Sequence, residues 1–71
     1  MIRTRFNLIT KSSTHDADRL VGYADIPAVP SVGDLVNIDG EPYYCHSVAW
    51  GLNTEPTDEK TLYAYVRVLR A

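Results

Sequence analysis

The chain reads as an all-β protein, a five-stranded antiparallel small barrel of SH3-like type or a compact sandwich. Three observations predict this. Asp39-Gly40 sits between two runs rich in apolar and β-branched residues. That is the strongest short-range hairpin signal, because Gly40 can take the positive φ a tight turn needs. Thr61 to Leu69 alternates strictly, with Leu62, Ala64, Val66 and Val68 on one parity and Tyr63, Tyr65, Arg67 and Leu69 on the other, the pattern of a half-buried strand. No segment carries an apolar face at helical spacing long enough to hold a helix.

The first strand is expected over Ile2 to Thr10, where Ile2, Thr4, Phe6 and Leu8 share one parity and Arg3, Arg5 and Asn7 the other. Lys11 to Arg19 is polar throughout and rich in turn-capping side chains, so it reads as a solvated loop. A short helix from Ser13 or Thr14 lacks an apolar face. A second strand follows from Leu20 to Ile26 and stops at Pro27, which cannot donate into a ladder. Pro27 to Ser31 forces an extended connection across one end of the sheet, since each proline biases its predecessor away from the helical region.

In the hairpin, Val36 and Ile38 share one face and Leu35 and Asn37 the other. The return strand changes phase: Tyr43 and Cys45 match each other, but Val48 and Trp50 do not match them. A β-bulge near His46-Ser47 resolves this and keeps Tyr43, Cys45, Val48 and Trp50 on the core side, adding the twist that curls a short sheet. Gly51 to Lys60 is expected to be a long solvated loop before the last strand. Closure into a barrel is expected because an open sheet leaves an apolar face uncovered and edges free to pair.

Seventy-one residues make one domain, 1–71, near the low end at which one core stabilises a fold unaided. With 45% hydrophobic and 23% charged residues, five Tyr, one Trp and one Phe, the composition is that of a folded globule. A formal charge of −2 with seven Lys and Arg argues against tight non-specific binding to nucleic acid, which needs clustered cations. The single cysteine excludes an internal disulfide and points to a reducing, intracellular setting. No apolar run approaches the roughly 20 residues of a membrane span, and Met-Ile-Arg-Thr-Arg-Phe is no signal-peptide start, so no membrane association is expected.

Pro30-Ser-Val-Gly-Asp-Leu-Val-Asn-Ile-Asp-Gly-Glu, followed by Tyr43, Cys45 and Val48, resembles a pattern found in many small bacteriophage and prophage proteins and related β-barrel domains. In that pattern a proline precedes a Gly-Asp or Gly-Glu, a strand follows, and a tyrosine and a spaced valine mark the return strand. Pro42 after the turn and Cys45 in place of an aliphatic residue depart from it. The resemblance implies a small barrel of viral type, in the cytoplasm of a bacterial host or in a virion, and carries no functional residue.

Each candidate for chemistry has a structural explanation. His15, Asp16 and Asp18 form a His/carboxylate cluster without the convergence a metal site needs, and they read as solvated loop. Cys45-His46 reads as a packed small thiol beside a surface histidine. Asp34 and Asp39 are turn residues, and a core this small leaves little room for a cleft. The chain is therefore expected to be no enzyme and to need no cofactor. What remains is surface. Arg3 and Arg5 on the first strand and Tyr63, Tyr65 and Arg67 on the last form one aromatic and basic patch if the terminal strands lie together. Trp50, beside Gly51, either lids the barrel or protrudes as a binding anchor.

Two functions follow as expectations. The first is a non-enzymatic protein-interaction or self-assembling module of phage or prophage type, such as a minor virion structural protein, with homo-oligomerisation burying outward Tyr63, Tyr65 and Leu69. The alternative is a binder of nucleic acid or a nucleotide-like small molecule, acting as an inhibitor or sequestering protein in phage and host conflict through Arg3, Arg5, Tyr63, Tyr65 and Arg67.

Overall fold

A computed structural model of the chain describes residues 1–10 and 18–71. The expected loop from Lys11, with its possible helix at Ser13 or Thr14, falls almost wholly outside them. Five strands form one sheet: β1 (Ile2–Leu8), β2 (Arg19–Ile26), β3 (Leu35–Ile38), β4 (Glu41–Thr54) and β5 (Lys60–Arg70). Their order is β2-β1-β5-β4-β3. The sheet curls into a half-barrel whose concave side carries the core.

Three expectations are corrected here. The sheet is mixed, not antiparallel, because β1 pairs with β5 in parallel, from Arg3 opposite Tyr63 to Leu8 opposite Val68, while every other pair is antiparallel. A parallel pair needs a long crossover, and here everything between the terminal strands supplies it. Nor does the sheet close: β2 and β3 are its two edges, so it is neither a complete barrel nor a two-layered sandwich. The proline-rich connection leaves β2 at Ile26, level with Ile2, and enters β3 at Leu35, level with Tyr44 and Leu69. It therefore runs lengthwise between the two edges and not across one end of the sheet as expected; Val29 within it packs against the core.

The hairpin turn forms as its residues dictate. Asp39 and Gly40 both take positive φ, 53° and 82°, the backbone of a type I′ turn that matches the twist of its strands. Leading into β3, the Ser31 amide donates to Asp34 Oδ2 at 2.8 Å and the Asp34 amide to the Ser31 carbonyl at 3.0 Å. Asp34 is therefore a turn residue, as read from sequence. The register of β4 on β5 skips His46, with Cys45 opposite Val68 and Ser47 opposite Arg67, which is the expected bulge. A second irregularity leaves Val21 as the extra residue of β2 between Gly22 and Leu20.

Gly51 to Lys60 is not a long loop. The β4–β5 ladder continues through Leu52 opposite Leu62 to Thr54 opposite Lys60. Only residues 55–59 turn, closed by the Glu55 amide on the Glu59 carbonyl at 2.7 Å and the Asp58 amide on the Glu55 carbonyl at 2.9 Å. The concave face buries Phe6, Leu8, Tyr43, Cys45, Ala64, Val66 and Val68, the parities expected for β1 and β5. Thr4 lies among them fully buried, its hydroxyl donating to the Ile2 carbonyl at 3.1 Å, so its polar atom is not orphaned.

Candidate functional site: an open concave face and a paired-charge outer face

On the convex side, the parallel β1–β5 pair places Arg3 opposite Tyr63, Arg5 opposite Tyr65 and Asn7 opposite Arg67. All five residues of the expected patch thus lie on one face. The cations, however, are engaged. Arg3 pairs with Asp25 of the neighbouring strand at 3.5 Å, an exposed contact of small energetic weight. Arg5 donates to Asn7 Oδ1 at 3.2 Å and lies 5.9 Å from the centre of the Tyr23 ring. Arg67 Nε and Nη2 both donate to the Asp18 carboxylate, at 2.7 and 3.3 Å.

Asp18 corrects the solvated-loop reading, for its side chain is only 3% exposed. A fork-to-fork pair of this kind fixes geometry as well as charge, and it ties the chain entering β2 across β1 to β5. The hydrogen bond to Asp18 raises the Arg67 pKa above its ordinary value, outweighing the opposing effect of burial. No local signal in the sequence links residues 49 positions apart. His15 and Asp16 of the same cluster lie outside the described residues. Among those described, no group of three His, Cys, Asp or Glu side chains converges as metal ligands, and no helix is long and apolar enough to cross a membrane.

The concave side differs in kind. Because the sheet stops short of closure, edge strands β2 and β3 face each other across a cleft of about 780 Å³, lined by Phe6, Val21, Ala24, Ile26, Val36 and Ile38 among others. The expectation that so small a core leaves little room for a cleft is corrected by this opening, which the failure of the sheet to close creates. Leu35, at the rim, is 57% exposed. Sequence reasoning missed this feature because each lining residue reads as ordinary core, and only the failure of two edges to meet leaves them uncovered.

Trp50 does not lid the barrel. It lies on the concave face opposite Ala64, in the phase the bulge requires, yet 54% of it is exposed. The reason is local. Strand β3 covers β4 only as far as Tyr44, and the last contact beyond it is the Cys45 amide on the Asp34 carbonyl and the Gly33 amide on the Cys45 carbonyl, at 2.9 and 2.8 Å. Past that point nothing among the described residues flanks β4 opposite β5. Leu52 and Leu62, on the same face, are exposed by 62% and 43%. On the convex side the Tyr65 ring covers Gly51, where a Cβ would come within 2.9 Å of Tyr65 Cε2.

Cys45 is 2% exposed, with Sγ 3.9 Å from the Pro30 carbonyl oxygen. Burial, and secondarily the Asp34 charge, push its pKa up, so the thiol is a packing group and the nucleophile reading gains nothing. Two results are expected. Disulfide reagents should modify Cys45 only as fast as the protein opens. Stability should also be complete at neutral pH and fall above about pH 8.5, where the unfolded thiol ionises and the folded one holds its proton. Denaturant titrations of the wild type and Cys45→Ala check the second, the variant losing that alkaline slope.

Comparison with protein-family models, curated proteins and solved structures finds no match to the chain.

Proposed function

We propose that this chain is a non-enzymatic protein-interaction and self-assembling module of phage or prophage type, a variant of the SH3-like small barrel that works through its open concave face. The observation that carries the reading is the uncovered apolar surface on that face: the cleft between β2 and β3, and Trp50, Leu52 and Leu62 beyond it. A fold this small has few other sources of stability, and contiguous exposed apolar area marks interaction sites. A virion component or a protein working in the bacterial cytoplasm would use such a face alike. The reading as a binder of nucleic acid or a nucleotide ranks behind it, because Arg3 and Arg67 on the convex patch are each met by a carboxylate. Sedimentation of the purified chain tests the proposal: reversible association is expected at tens of micromolar, as an order of magnitude, and a monomer throughout contradicts it.

A further inference from the structure

Past the bulge at His46, the distal half of β4 is an edge strand that carries no charge and no proline and has no cover among the described residues. From Ser47 to Thr54 there is no proline and no charged residue, whereas natural edges are blunted by one or the other, by brevity or by a cover. The other edges obey that rule. Strand β2 carries Arg19 and Asp25 and ends at Pro27, and β3 is four residues long.

The same stretch is also a chemical palindrome. Ser47-Val48-Ala49-Trp50-Gly51-Leu52-Asn53 reads polar, aliphatic, small, Trp, small, aliphatic, polar in either direction. A two-fold axis perpendicular to a sheet pairs two copies of one strand antiparallel and keeps like faces on one side. If that axis passes through Trp50, Trp50 lies opposite its own copy, Val48 opposite Leu52, and Ser47 opposite Asn53. Every apolar residue then meets an apolar one, and no like charges face each other.

Resting on the proposed self-assembly, we infer that two copies pair through this edge, β4 to β4 about Trp50, making one continuous ten-stranded sheet. The occupant is a second copy and not an unrelated strand because the palindrome matters only to itself. The exposure of Trp50 and Leu52 in the single chain is what such pairing removes. Tyr63 and Tyr65, already half-buried on the convex side of their own sheet, need no cover.

Cysteine placement on the full chain tests the register, the buried Cys45 serving as the wild-type background. Opposed Cα atoms in an antiparallel pair are about 4.5–5.5 Å apart, within disulfide reach. Trp50→Cys should therefore form a disulfide-linked dimer under mild oxidation, as should the double variant Val48→Cys with Leu52→Cys, which keeps Trp50. Leu52→Cys alone should not, its copy lying four residues along the ladder, roughly 13 Å away.

Trp50→Lys, a change at an exposed side chain, should keep the far-ultraviolet dichroism of the wild type and weaken association by roughly tenfold or more. Crosslinking of Leu52→Cys as readily as Trp50→Cys overturns the inference. So does undiminished association of Trp50→Lys; if Val36→Lys in the cleft abolishes that association instead, self-assembly stands and only this interface fails. A wild type that never associates removes both.

Discussion

Phe6→Ala is expected to cost about 3–5 kcal/mol of folding stability, the usual range for deleting a buried phenylalanine ring. A domain of this length has in total only about 4–10 kcal/mol. Phe6 is the one phenylalanine of the chain and is 7% exposed. It lies opposite Gly22 of β2 and Val66 of β5, and it also forms part of the cleft floor. No neighbour can collapse into the space, because the cleft is already open on one side and Gly22 has no side chain to offer. Urea denaturation followed by far-ultraviolet dichroism checks it, the exposed Trp50 being a poor reporter of core unfolding. A loss below about 1 kcal/mol contradicts the placement of Phe6 at the centre of the core.

Gly40→Val should be the more selective lesion. At φ 82° a residue with a Cβ is strained by about 1–2 kcal/mol, and a β-branched one no less. Asp39→Asn should be nearly silent, since asparagine tolerates the left-handed region. The strain falls on the β3–β4 hairpin, where β3 is held by only four residue pairs. Hydrogen exchange should accordingly rise first at amides of Leu35 to Ile38 and Tyr43, and little across the β1–β5 pair. An even rise across the whole sheet would show that β3 is no separable wall of the cleft.

These two sites mark what could be read in advance. The turn at Asp39-Gly40, the bulge at His46, the parity of β5 and the core role of Phe6 follow from residue chemistry within a few positions, and each was legible. The convex patch was legible too, because side-chain parity fixes which residues of β1 and β5 can share a face once those strands are neighbours. Their parallel direction was not, since either direction puts the same parities outward.

The length of the β4–β5 hairpin escaped for a different reason. Asn53, Pro56 and Asp58 carry turn signals, and only the cross-strand ladder from Leu52 to Thr54 decides how many of the surrounding residues stay extended. Asp18 with Arg67, and the open cleft, depend on contacts or absences that no short window contains. Trp50 stands between the two classes. Its face followed from the bulge, while its exposure depended on where β3 ends.

The central claim is that the uncovered concave side of this half-barrel exists to associate. Sedimentation equilibrium of the wild type at low salt and at about 1 M salt tests it most directly. At 1 M the screening length falls to about 3 Å, so contacts between exposed charges are lost while apolar burial is not. Association that persists or strengthens at high salt is the predicted result. A monomer at both ionic strengths, or an oligomer that dissolves as salt rises, would contradict it.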